Sequence, residues 1–266
     1  MPIPPLSTQQ RIASILGAYD DLIENNRRRI AILEEMARRL FDEWFVQLRF
    51  PGHESKKLID TSHGPLPSSW RWVTLGELCR ECRDSVLPSE IPSNTPYVGL
   101  EHIPRRSITL DNFRSPDKVT SLKLRFHRGD ILFGKIRPYF HKVVIAPFDG
   151  VASSDAIIIR ALTEHVRGLV LTVTSSDAFV AHSVQTSNGT KMPRANWGVL
   201  TNYHIPLPPA ALLETFNRFV LDVAYAAMAH QAANERLAMS RDLLLPCLVS
   251  GELPIAAAQR VLEAAD

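Results

Sequence analysis

The most constraining feature of this 266-residue sequence is one long helical stretch, from about Ser7 to Phe45. Apolar residues recur at Ile12, Leu16, Tyr19, Ile23, Ile30, Leu33, Ala37, Leu40 and Trp44, with the polar Asn26 on the same stripe. The steps alternate four and three, the heptad spacing of a coiled-coil seam. Ser7, with Gln10 three residues on, reads as a capping box at the helix start. Pro4 and Pro5 oppose any backward extension, and after Gly17 neither Gly nor Pro intervenes until Pro51. A helix of about 39 residues rises about 60 Å. A rod of that length spaces elements apart or joins chains; it is too long to be core filler for a small domain.

The same helix is written a second time. A shift of 204 residues carries Pro4-Pro5 onto Pro208-Pro209. The stripe then falls without a gap on Phe216, Val220, Val223, Ala227, His230, Asn234, Leu237, Arg241, Leu244 and Leu248. Asn26 lands on His230, so both stripes carry a polar residue at the same step, where it can set the register of a pairing. The second stripe is the poorer, with Asn234 and Arg241 also on it. Internal repeats fix architecture first. The order here is proline turn, long helix, globular insert, proline turn, long helix. The boundaries read as a helical arm over 1–50, a linker over 51–65, an insert over 66–204, a second helical arm over 205–250 and a tail over 251–266.

Charge separates these parts. The net charge is only +2, yet residues 48–204 hold 20 of the 30 Lys and Arg against 14 of the 28 Asp and Glu, and eight of the nine His. The insert is therefore basic and the arms slightly acidic. A basic centre fits a polyanionic partner, although a mildly basic surface with no such partner has the same composition. The sequence has no apolar run long enough for a bilayer. The opening Met-Pro-Ile-Pro-Pro-Leu lacks a basic segment followed by an apolar core, which reads as a cytoplasmic protein.

Within the insert, apolar runs at 97–100, 131–133, 143–146 and 156–160 read as strands, with short helices over 75–84 and within 164–182. Arg128-Gly129-Asp130 and Ser187-Asn188-Gly189-Thr190 read as turns, and Ile205 to Pro209 as a turn into the second helix. Strands and helices mix without a βαβ rhythm. The expected fold class is α+β: one mixed α/β domain flanked by two long helices that form an antiparallel coiled coil.

No catalytic motif is present. The sequence lacks a phosphate loop, a Gly-rich dinucleotide turn, an H-E-x-x-H helix and a nucleophile elbow. Cys79 and Cys82 form a C-x-x-C with no second pair to complete a zinc site, and read as partly buried thiols on a short helix. Asp130 reads as a turn residue. Two stretches instead combine basic and hydroxyl groups with tight turns: Gly134 to Lys142, with Lys135 and Arg137, and Ser187 to Trp197, with Asn188, Thr190, Lys191 and Arg194. Arg105 stands in a third loop. Lys and Arg supply charge to phosphates, and Arg, Asn and Ser can read base edges. Any one such side chain is commonly just solvated; two such loops in one basic domain point to nucleic acid.

These residues also carry a resemblance. Pro4-Pro5-Leu6, Gln9-Gln10-Arg11-Ile12, Leu22-Ile23-Glu24-Asn25-Asn26 and Ala37 through Val46 resemble the helical region of specificity (S) subunits of type I restriction-modification systems. The insert resembles a target-recognition domain of that family. It does so through Tyr97-Val98-Gly99-Leu100-Glu101, Gly129 to Pro138, Ser153-Ser154-Asp155, Asn188 to Arg194 and the Ile-Pro-Leu-Pro-Pro exit. Such subunits usually hold two recognition domains, and this sequence has one, so it resembles a half subunit; a natural short gene and a fragment both fit. The resemblance implies a protein that is not an enzyme and holds no cofactor. It would recognise half of a split double-stranded DNA site. Methyltransferase (M) subunits, which use S-adenosylmethionine, would dock on the helices, and restriction (R) subunits could join. Its helices would pair antiparallel, within one chain or between two copies, through the stripe residues Ile12, Leu16, Ile23, Asn26, Ile30, Leu33, Leu40, Trp44, His230, Leu237 and Leu244, and two copies would associate through the helices. Two identical domains about 60 Å apart, about 18 base pairs at roughly 3.4 Å each, would read an interrupted palindrome. Two other readings remain at this level: a coiled-coil protein adaptor and a stand-alone DNA-binding regulator.

Overall fold

The periodic stretch forms one 36-residue helix, α1 (Leu6–Phe41), in the computed structural model, which describes residues 4–255, 257 and 258 with the exception of Thr190. A π-helical turn, Asp42–Val46, continues it to the expected end, with the Gln47 amide donating to the Asp42 carbonyl at 2.8 Å. The expected cap is corrected. The helix starts before Ser7, and Gln9 closes the first turn, its amide donating to the Pro5 carbonyl (3.0 Å) and its side chain to the Pro4 carbonyl (2.8 Å).

The phase of the stripe is corrected too. The buried positions are Ile12, Ile15, Tyr19, Ile23, Asn26, Ile30, Glu34 and Ala37, and beyond them Trp44 and Phe45. Their steps run three, four, four, an eleven-residue repeat that follows a straight helix more closely than heptads do. Leu16, Leu33 and Leu40 are half-buried flankers.

The insert begins earlier than expected. After a turn at Pro51-Gly52, with Gly52 at φ 80°, the supposed linker carries a hairpin of β1 (Leu58–Thr61) and β2 (Gly64–Pro67). Then come β3 (Arg71–Thr74) and a single helical turn, α2 (Leu75–Leu78), closed by a Thr74–Glu77 capping box. The chain next turns into β4 (Cys79–Cys82). Cys79 and Cys82 therefore lie on a strand, not a helix, three residues apart and on opposite faces. Burial pushes the Cys79 thiol up to about 12.

The remaining elements are β5 (Ser85–Val86), β6 (Tyr97–Val98), β7 (Lys123–Phe126), β8 (Ile131–Gly134), β9 (Val143–Ile145), β10 (Gly150–Ser153), β11 (Ala156–Ala161), α3 (Arg167–Thr174), α4 (Asp177–Gln185), α5 (Trp197–Leu200), β12 (His204–Leu207) and α6 (Ala210–Ser250). Two four-stranded sheets, ordered β5-β7-β10-β6 and β4-β11-β8-β9, form the centre. Only β10 and β6 are parallel among the paired strands. The stretch expected as a turn at 205–209 begins as β12, paired with β3, and α6 starts at Ala210. Asp130 is structural, as read: its carboxylate caps the His127 amide (2.7 Å) and takes both Nε (2.7 Å) and Nη2 (2.6 Å) of Arg160. The fold is α+β, a mixed domain flanked by two long antiparallel helices.

The chain divides into two compact units, and each long helix contributes to both. In the unit made of the described residues up to Ile32 and from Ala226 onward, the two helices pair antiparallel within the same chain. Ile12, Ile15 and Tyr19 form one apolar cluster with Leu248, flanked by Leu16, Leu237 and Leu244. Arg241, a blemish on the second stripe, donates to Asp20 at 2.5 Å. Asn26 and His230 line one cleft of about 410 Å³. Asn234 is buried and neither end of its amide meets a partner. Among the described residues no helix is long and apolar enough to cross a membrane.

In the second unit, residues 33–225, the ends of both helices grip the sheets. Phe216 of α6 is fully buried and meets Phe45 edge-on at 4.6 Å between ring centres, with Trp44 at 5.8 Å. Phe45 and Phe50 both reach Trp70 at the start of β3. The π-helical turn lets neighbouring Trp44 and Phe45 both point inward. Asn217 accepts from the Gly168 amide at 2.7 Å and donates to the Glu164 carbonyl at 3.0 Å, capping α3.

Glu34 is the counterpart on α1. Its Oε1 accepts from Ser107 Oγ (2.7 Å), the Ile108 amide (3.0 Å), the Thr109 amide (3.1 Å) and Thr109 Oγ1 (2.8 Å). Truncation leaves the buried Ile108 amide and Thr109 hydroxyl without this acceptor, while Ser107 Oγ and the Thr109 amide keep only longer alternatives at 3.3 and 3.2 Å. Glu34→Ala is expected to lower unfolding free energy by about 2–4 kcal/mol in urea titrations, and Glu34→Gln, which keeps an oxygen, by less than half of that. Equal losses for both would show that helix packing, not the hydrogen-bond cluster, is what the site contributes.

Candidate nucleic-acid interface

The two basic stretches meet. The Arg137 amide donates to the Pro193 carbonyl at 2.8 Å and the Ala195 amide to the Lys135 carbonyl at 2.8 Å, joining 135–137 to 193–195. Asn188 and Arg194 exchange backbone hydrogen bonds at 3.0 and 2.9 Å, closing the 188–194 loop on itself. Gly189 sits at φ 91° in that loop, a conformation that favours Gly. The Lys135 amide donates to the Asp155 carbonyl and its ammonium to the Ser154 carbonyl at 2.6 Å. Three loops, after β8, after β10 and before α5, are thus laced together by backbone bonds.

Side chains from these loops line an open groove of about 350 Å³: Lys135, Asn188, Arg194, Asn196 and Trp197, with Glu81 and Arg83 from the end of β4. Lys135 has one of its three donors committed and its charge held in place. Arg194 is exposed. Arg137 is half-buried at φ 50°, in the left-handed region, and its Nε meets no partner. It braces the junction through its backbone and does not line the groove. Lys191 is exposed on the same loop, beyond the groove's lining. Arg105 stacks its guanidinium 4.2 Å over the Phe140 ring, beside the far end of the first stretch. Thr190 lies outside the described residues.

Sequence reasoning missed Arg83. It sits just past β4, exposed, with its Nε donating to Glu81 at 2.6 Å. Only the pairing of β4 with β11 brings it to this groove, and no local motif marks that pairing. Asn196 was legible as a loop residue; it caps α5 by accepting from the Gly198 amide at 3.0 Å. Among the described residues no three His, Cys, Asp or Glu side chains converge as metal ligands. The groove presents fixed cations, amides and one indole to solvent, which suits binding to phosphates and base edges.

No protein-family model matches the chain. It is 27% identical over 265 residues to the type I restriction enzyme MjaIX specificity subunit of Methanocaldococcus jannaschii, covering 96% of this chain and 61% of that protein. The Escherichia coli type I restriction enzyme EcoDI specificity subunit is 26% identical over 265 residues, with 91% of this chain and 59% of that protein covered. This chain resembles type I restriction specificity subunits. It spans about three fifths of the length of these curated relatives, consistent with a half-size subunit. The fold agrees: the crystal structure of a type I restriction-modification system S subunit from M. genitalium superposes with a TM-score of 0.59 at 15% identity, over 92% of this chain and 61% of that one.

For a specificity-subunit relative, the groove makes a direct prediction. Lys135→Ala and Arg194→Ala are each expected to weaken binding to any duplex and to reduce the slope of log K against log salt by about 1, measured by fluorescence anisotropy. Unchanged affinity and slope in both variants would place the interface elsewhere on the domain.

Proposed function

We propose that this chain is a non-catalytic DNA-recognition subunit of a type I restriction-modification system. Its recognition domain binds one half of a bipartite site, and its paired helices dock methyltransferase subunits. The observation that carries this reading is the junction of the two basic stretches. Backbone hydrogen bonds hold Lys135, Asn188 and Arg194 around one groove, in a chain related over nearly its whole length to specificity subunits. Rigid loops present charge without an ordering cost at binding. Lys191, Arg137 and Arg105 extend the basic surface beside the groove.

One recognition domain reads one half-site. The second half comes from a second copy, related by a two-fold axis. Because α1 and α6 already pair within one chain, the copies meet through other surfaces. Met239 and Leu243, four residues apart and largely exposed on α6, offer an apolar strip for this contact.

Coexpression with the methyltransferase subunit of a type I system, followed by affinity purification and mass measurement, tests the assignment. A stable complex with two copies of this chain that binds duplex DNA is the expected result. Failure to copurify while DNA binding persists would favour a stand-alone regulator. A complex that ignores DNA would favour a protein adaptor.

A further inference from the structure

A second groove adjoins the first. It measures about 690 Å³ and is lined by Tyr97, Glu101, Arg114, Asp117, Ser121 and Lys123 among others. The turn 153–155 links residues of the two grooves. Ser153 lies opposite Lys123 across the β10–β7 pairing, while Ser154 and Asp155 hold Lys135 of the first groove.

Lys123 is the anomaly here. Its residue is only 5% exposed, yet its ammonium meets no carboxylate among the described residues. It donates to the Ser121 carbonyl (2.9 Å) and hydroxyl (2.7 Å) and lies 5.6 Å from the centre of the Tyr97 ring. An ammonium has three donors, so one is uncommitted. Burial lowers its pKa and Asp155 partly opposes this. A mostly buried cation that forms no ion pair, with Asp155 acting on it only at longer range, is costly for stability alone and is commonly kept for a ligand. Arg114 stands at the same wall, fixed by the exchange of backbone hydrogen bonds with Tyr97 at 2.8 and 3.0 Å. Glu101 lines the same groove, its carboxylate folded into the space that a side chain at Gly99 would fill.

The charges decide what fits. Two cations and two carboxylates line this groove, so a phosphate gains no net attraction. A base pair presents both acceptors and donors. Lys and Arg suit guanine O6 and N7, and Glu suits the cytosine amino group. Building on the DNA-recognition reading above, we propose that this groove reads a G·C pair of the half-site in the major groove. Lys123 and Arg114 would contact guanine and Glu101 cytosine, while the Lys135–Arg194 groove holds the backbone.

The test is selection of duplexes from a randomised library by the full chain, wild type and variants. Arg114→Ala, at an exposed site outside the core, and Lys123→Met should each relax the preference for guanine at one position by about 10-fold and leave the salt slope unchanged. Lys135→Ala should do the reverse. A guanine analogue lacking N7 at that position should weaken the wild type by more than it weakens Arg114→Ala. An unaltered preference in folded Arg114→Ala and Lys123→Met overturns the G·C assignment while DNA recognition stands. A wild-type chain that selects no duplex overturns both.

Discussion

One buried carboxylate oxygen ties α1 to the mixed α/β domain. Glu34 sits on α1 at the point where an apolar residue would continue the stripe, and instead gathers four donors from Ser107, Ile108 and Thr109. In a low-dielectric site such a cluster is strong when complete and costly when broken. It fixes the loop that carries Arg105 and Arg106. Arg106 in turn donates its amide to the His141 carbonyl and its guanidinium to Asp177. His141, at φ 53° and buried, bonds the Ser175 carbonyl through Nε2. Helix, loop and α3–α4 corner are therefore one connected polar network around a small cavity lined by Glu34, Arg106 and His141.

Burial lowers the His141 pKa below its ordinary value, with Arg106 and Arg38 adding to the effect and Ser175 and Asp177 opposing it. The sign follows directly. The folded state holds this ring neutral, so its contribution is present above the unfolded value of 6.5 and is lost as pH falls through the lower folded value. The neutral ring's contribution to this network is thus fully present at neutral pH. Asn217 does for α6 what Glu34 does for α1. Both helices hold the domain through buried polar side chains bonded to backbone and hydroxyl groups, which fixes orientation more sharply than apolar contact alone.

The helices were legible because a 3.6-residue period over ten turns is hard to mistake. Their phase was not. Ile15 and Leu16 are both apolar, and Leu33 stands beside the charged Glu34, so a heptad drawn through Leu16 and Leu33 looked sounder than the true stripe through Ile15 and Glu34. A buried Glu is invisible to a hydrophobic pattern. The β1–β2 hairpin was missed because its strands are short and β2 carries a Gly and two Pro, and β10 because it is short and Gly-led. The two basic loops were found by composition, but their meeting was not, since it rests on backbone bonds between residues about 60 apart in sequence. Arg83 and the Tyr97–Lys123 groove were missed for the same reason. Sheet pairing creates them, and no local spacing records it.

The chain combines a mixed α/β domain with two long helices that pair antiparallel, and it resembles type I restriction specificity subunits. Modified-base sequencing of DNA from cells that carry the cognate methyltransferase, with and without this chain, tests that view most directly. The account predicts a split, palindromic methylation motif that appears only when the chain is present. A methylation pattern indifferent to the chain would contradict it.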